Sequence, residues 1–194
     1  MGMVFEMHAI PVETVDQLRN APDAIDGVLE SAVGSFDLDK DWDLVRYLID
    51  GTLIDGTPVD GTPVDETPVD GSEPGAPTDP ETAEAAGAAV ISPPMFEGDE
   101  KVGRDDGYGQ PALLLPATVK SFAATLRDLD PNVVDRRLQF ENAEEIEDSD
   151  FSLYCFYADE IEDLKEYLPK RLADLKRFFA EASERGNAVV TMMT

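Results

Sequence analysis

The chain is poor in the side chains on which much enzyme chemistry depends. Its 194 residues include a single histidine, His8, and a single cysteine, Cys155. One of each excludes an internal disulfide, a dithiol couple and a zinc site of the Cys/His kind. Positive charge is scarce as well, with 15 Lys and Arg against 42 Asp and Glu and a formal net charge of −27. Binding to phosphate backbones or anionic headgroups depends on cations that neutralise phosphate, so neither nucleic acid nor a membrane is an expected partner. No apolar run approaches the roughly 20 residues that span a bilayer. Met1 to Glu6 also lacks the basic region that precedes the apolar stretch of an export signal. Glu6 stands where a myristoylation motif requires Ser or Thr, so Gly2 does not complete one. Without a disulfide framework, the expected location is the cytoplasm.

What the chain has in abundance is acid. Asp outnumbers Glu 24 to 18, and only 6 of the basic residues are Lys. The acids run through nearly every segment, which describes a generally solvated surface. Such a balance also suits a protein that stays soluble at high salt. It would attract a cationic surface and steer the encounter, so the partner to expect is a basic protein.

Length and hydrophobic content fit one domain over residues 1–194. A low-complexity insert at about 52–88 interrupts it. Residues 51 to 70 read GTLID, GTPVD, GTPVD, ETPVD, where Pro58, Pro63 and Pro68 fix φ and remove a donor every fifth residue. The unit is far shorter than those of stacking solenoids. The composition that follows, Gly71 to about Ala89, predicts disorder, and deletion of the insert should leave folding cooperative. Asp55, Asp60, Asp65 and Asp70 recur with the repeat but match neither an EF-hand loop nor a calcium-binding β-roll, so no metal site is expected there.

Before the insert, the alternation predicts a strand over Met3 to Ile10 with Phe5, Met7 and Ala9 on one face. Glu6 and His8 share the other, a conceivable acid/base pair whose plainer reading is an exposed or structurally paired histidine. Helices follow over Val12–Arg19 and Pro22–Ala32, the second with Ile25, Val28, Leu29 and Ala32 on one stripe. From Phe36 to Gly51 the apolar spacing predicts a helix with Asp39 as N-cap, Trp42, Val45 and Ile49 on one face, and Gly51 as its stop.

Met1-Gly2-Met3, then Leu38-Asp39-Lys40-x-Trp42 and a helix ending at Gly51, resembles the YfbM-like bacterial domains of unknown function. Asp106-Gly107-Tyr108-Gly109-x-Pro111-x-Leu113-Leu114-x-Pro116-x-x-Val119 is similar to that family's glycine turn, strand and helix start. A last helix with Phe178, Phe179 and Ala182, closed by Gly186 and followed by Ala188 to Met193, resembles its C-terminal part. The acidic stretch Glu141 to Asp150 and the insert depart from the pattern. The resemblance implies a prokaryotic, three-layer α/β fold and carries no established activity.

Read on its own terms, the second half predicts a strand at Ala112–Leu115, a helix at Pro116–Leu129 and a short helix from Pro131 to Leu138. Phe151 to Tyr157 reads as a strand or buried segment, with Cys155 a small core residue whose acidic neighbours would raise its pKa. Pro169 is expected to split Asp159–Glu184 into two helical pieces, the second with Leu168, Leu172, Leu175 and Phe179 buried. Ala188 to Met193 lacks polar alternation and suits a central strand. Together these predict an α/β fold, with a mixed β-sheet covered by helices.

Gly103, Gly107 and Gly109 precede a strand instead of leading from one into a helix, so they predict a turn and not a phosphate loop. No cofactor is called for. Where carboxylates and aromatics are expected to meet, Asp39, Trp42 and Asp43 with Asp105, Tyr108 and Gly109 form a candidate site for a cationic or polar ligand. Capping and core packing compete for the same residues. The function expected is a ligand-binding or interaction module, an acidic accessory or inhibitor-like protein. The alternative is a hydrolase or transferase using carboxylates, with magnesium held by Asp39, Asp43 or Asp105.

Overall fold

A computed structural model describes residues 4–50, 93–137 and 161–194. The insert, the acidic stretch 141–150 and the segment 151–157 with Cys155 lie outside the described residues.

The elements run β1 (Phe5–Ile10), α1 (Val15–Asn20), α2 (Ile25–Glu30), β2 (Gly34–Asp39), α3 (Trp42–Asp50), α4 (Pro94–Glu97), β3 (Glu100–Lys101), β4 (Ala112–Leu114), α5 (Pro116–Asp128), α6 (Val133–Arg137), α7 (Ile161–Glu184) and β5 (Ala188–Met193). The strands form one sheet in the order β2-β1-β5-β4-β3. Every ladder in it is antiparallel. The α/β class is as expected; the pairing differs from the mixed sheet anticipated, because β5 returns against β1 and β4 instead of closing a parallel crossover.

Side-chain alternation divides the core in two. Phe5, Met7, Ala9, Leu114 and Val189 belong to the larger cluster, with α3, α5, α6 and α7. Ile10, Leu113, Ala188 and Val190 belong to the smaller one, with Val15, Leu18, Ile25 and Val28 from α1 and α2. Helices therefore cover both faces, the three-layer arrangement that the resemblance implied. Ala188, Val189 and Val190 are fully buried, as a strand with two covered faces requires.

Two helical expectations change. The reading from Phe36 to Gly51 divides into β2 and α3. A bulge between the Phe5↔Asp39 and Glu6↔Asp37 pairs gives β2 an extra residue, and Leu38 is completely buried there. Asp39 follows with φ 46°, a left-handed turn residue and not a helix cap. The carbonyl of Asp41 accepts the first helical bond, from Val45 N–H at 2.8 Å, so Asp41 stands at the N-cap position.

Pro169 does not split α7, which continues through it to Glu184. Leu168, Leu172, Leu175 and Phe179 form one buried stripe running from just before the proline to ten residues beyond it. Packing of that stripe, with the Phe179 ring edge-on to Phe122 at 4.8 Å, offsets the one backbone hydrogen bond that proline removes.

Candidate functional site

The connection between β3 and β4 is built by its glycines and one aspartate. Asp105 Oδ1 accepts from the backbone N–H of Gly107 at 2.8 Å and of Gly109 at 3.0 Å. Both glycines take positive φ, 106° and 93°, which side chains with a Cβ rarely adopt. Gln110 Nε2 reaches back to the Gly103 carbonyl at 3.4 Å, and Val102 N–H donates to the Pro111 carbonyl at 2.9 Å. A tied loop results, standing past the end of the β4–β5 ladder.

Between this loop and the ends of β1 and β5 lies an open cavity of about 400 Å³. Phe5, Phe96, Ala112 and Met193 give it apolar walls, while Lys101, Gln110 and Thr191 supply polar groups beside Asp105, Tyr108 and Gly109. Its back is an aromatic column: Phe5 and Phe96 are 4.9 Å apart between centroids, Phe96 and Trp42 6.2 Å. The Arg46 guanidinium lies 5.6 Å from the centre of the Phe96 ring. Thr191 Oγ1 donates to the Met95 carbonyl at 2.7 Å, which fixes the threonine against α4. Tyr108 is half exposed at the rim.

Half of the expected site is thus assembled. Asp105, Tyr108 and Gly109 line the cavity, and Trp42 supports its wall through Phe96. Asp39 is exposed at the end of β2, and Asp43 is 1% exposed within α3, where its Oδ1 accepts from Leu44 N–H at 2.7 Å. Neither lines the cavity. Among the described residues no group of three or more His, Cys, Asp or Glu is placed to hold a metal ion, so Asp39, Asp43 and Asp105 do not converge on magnesium. The sequence reading missed Lys101, Phe96, Gln110 and Thr191. Only Thr191 carried a signal, as a polar residue inside an apolar strand.

Two further constellations lie elsewhere. His8 Nε2 and Glu6 Oε2 are 3.3 Å apart, so the expected pair does form. It lines an open hollow of about 320 Å³ with Ser35 and Asp37. Ser35 sits opposite His8 in the ladder, yet no hydrogen bond joins them, and Glu6 Oε1 is taken by Thr194 Oγ1 at 3.2 Å. The second group surrounds Arg171. Its guanidinium lies between the rings of Phe36, at 5.2 Å, and Tyr167, at 5.7 Å, and donates to the Asp37 carbonyl at 2.8 Å. It also pairs with the Asp37 and Asp41 carboxylates at 3.5 and 3.6 Å. Burial pushes the Asp41 carboxyl above the usual aspartate range, against the pull of the Tyr167 hydroxyl and Arg171. Burial and the Asp41 contact push the Tyr167 phenol up to about 12.

No helix of the described residues is long and apolar enough to cross a membrane. No curated protein matches the chain. Among solved structures it is similar to YfbM from Escherichia coli, a protein of unknown function, with 16% sequence identity and a TM-score of 0.61 over 98% of this chain and 99% of that one. At that identity the likeness establishes the fold. The family model described as "Domain of unknown function (DUF1877)" matches residues 1–192. Its reach over nearly the whole sequence, together with that fold, shows that the chain belongs to the DUF1877 family, as the YfbM-like motifs implied.

Proposed function

We propose that this protein is a binding module that takes a small, partly aromatic polar ligand in the cavity between the Gly103–Gln110 loop and the ends of β1 and β5. The supporting observation is the tied loop. Asp105 spends one carboxylate oxygen on two backbone N–H groups, and the two positive-φ glycines hold Tyr108 at the rim of a largely preformed cavity. Phe5, Phe96 and Met193 suit an apolar body; Lys101, Gln110 and Asp105 suit polar substituents of either sign. Among the described residues no hydroxyl or thiol is hydrogen-bonded to the His8 ring, and the three carboxylates suggested for magnesium are in separate places, so a carboxylate hydrolase receives less support than binding.

A melting-shift screen over polar aromatic metabolites tests the reading. A ligand at about 100 times its Kd adds about 2.7 kcal/mol to folding stability. The expected result is a shift in the wild type that is lost in Lys101→Ala and Tyr108→Ala, with the melting temperatures of the free variants unchanged. A shift that persists in both variants, or none with any compound, would overturn it.

A second reading rests on the net charge of −27, which would speed encounter with a basic protein. A stoichiometric complex with such a protein that dissociates at high salt would favour it.

A further inference from the structure

One groove on the helical layer is lined by more cations than acids, against the balance of the molecule. An open groove of about 560 Å³ runs between α5 and α7. Lys120 and Arg127 stand on its α5 side and Lys176 and Arg177 on its α7 side, with Glu184 the one acid. Four of the chain's 15 cations thus gather on one feature of a protein with 42 acids. The floor is small: Ala123 and Ala124 from α5, Ala180 and Ser183 from α7. Beneath it Phe122 of α5 meets Phe179 of α7 edge-on at 4.8 Å, which packs the two helices together.

Helical periodicity places these residues together. Lys120, Ala123, Ala124 and Arg127 are spaced i, i+3, i+4, i+7; Lys176, Ala180 and Ser183 are spaced i, i+4, i+7. Small side chains let another helix come within the 8–10 Å axial distance of helix packing, with long cationic side chains on both flanks. Two cations already have exposed partners, Arg127 with Asp128 at 2.8 Å and Arg177 with Asp174 at 2.6 Å. Lys176 Nζ donates to the Leu129 carbonyl at 3.3 Å. Exposed pairs of this kind contribute at most about 1 kcal/mol each, so an arriving carboxylate can compete for the same donors.

We propose that the α5–α7 groove is a docking site for an acidic amphipathic helix of a partner protein, its small or apolar stripe on Ala123, Ala124 and Ala180 and its carboxylates on the four flanking cations. Charge complementarity selects this occupant. A basic partner, which the molecule as a whole would attract, is repelled here, and two copies meeting groove to groove would set these cations against one another.

The probe is a fluorescent synthetic peptide about 13 residues long, matching the length of α5, with an Ala/Leu stripe flanked by Glu. The full chain should bind it, and the affinity should fall with salt. Lys120→Glu combined with Arg127→Glu should weaken binding roughly tenfold, as loss of several charge contacts does. Ala180→Trp should block the floor. Lys170→Glu, on α7 but outside the groove, should bind as the wild type does. All the substituted positions are exposed, and circular dichroism confirms that each variant is folded. Absence of binding would overturn the proposal, as would equal loss in Lys170→Glu or indifference to Ala180→Trp. Equally tight binding of a single-stranded oligonucleotide would reassign the groove to polyanions. Sedimentation showing a dimer abolished by Ala180→Trp would reassign it to self-association.

Discussion

At the scale of single residues, Gly98 and the Asp41–Tyr167 contact make the sharpest commitments. Gly98 has φ 64°, and a Cβ there would stand 2.8 Å from Ala112 Cβ and 3.0 Å from the backbone N and O of Leu113. Gly98→Ala is therefore expected to cost about 2 kcal/mol or more, strain and clash together. Gly107→Ala meets nothing within 4 Å and should cost only the conformational strain, about 1 kcal/mol. Denaturant midpoints of the two variants check the order. Tyr167 titrates from about 12 against an ordinary 10.0, so its neutral form is favoured by the fold. That contribution is complete below pH 10 and is lost as pH rises from there to about 12. A spectroscopic titration should show a late phenolate step that Tyr167→Phe removes; ionisation of all five tyrosines near the ordinary value would contradict it. The raised carboxyl of Asp41 has the same sign: stability falls as pH rises through its titration, and Asp41→Asn should flatten that dependence. None of this was legible in the sequence, because Asp41, Tyr167 and Arg171 are brought together only by packing α7 against β2.

At the scale of elements, periodicity read most of the fold correctly and failed where two signals overlapped. The faces of β1, the stripe of α2, the start of α5 at Pro116 and the central place of β5 all follow from spacing alone. Gly34 to Asp39 was hidden because its acids disfavour strands and its Phe36 and Leu38 also fit the helical pattern that begins at Trp42. Proline in α7 misled for another reason. Local chemistry argues for a break, while the stripe from Leu168 to Phe179 is buried against the sheet and α5 as one unit. The site shows the same division: the Asp105–Gly109 turn announces itself by composition, whereas Lys101, Phe96 and Thr191 reach the cavity through pairings no local pattern records. Pro169→Ala restores a donor inside a continuous helix and should raise stability by about 1–3 kcal/mol. An unchanged or lowered melting temperature would show that the helix bends there to advantage.

At the scale of the whole molecule, charge is unevenly distributed along the sequence. Residues 51–92 and 138–160 hold 17 of the 42 acids and none of the 15 bases. Self-repulsion of this size destabilises a compact state, and salt relieves it as the screening length falls from about 10 Å at 0.1 M to about 3 Å at 1 M. Most ion pairs among the described residues have an exposed partner and contribute little, so screening them removes less than the repulsion it relieves. The melting temperature is therefore expected to rise with sodium chloride, and a flat or falling curve would contradict the argument.

The place of β5 governs how this chain can come into being. β1 pairs with it from Phe5↔Met193 to Ile10↔Ala188, so the centre of the sheet joins residues up to 188 positions apart. Ribosomes add about 5–20 residues per second, so β1 waits roughly 10 to 40 seconds for its partner. During that interval Phe5, Met7 and Ala9 have no completed sheet to enter, and the two-stranded β1–β2 ladder alone is at best marginally stable. The sheet closes late, over a long loop, at the entropic cost that slows folds rich in distant contacts. A nascent chain of this design depends on staying soluble while incomplete, and a sequence with nearly three acids for each base is suited to that wait.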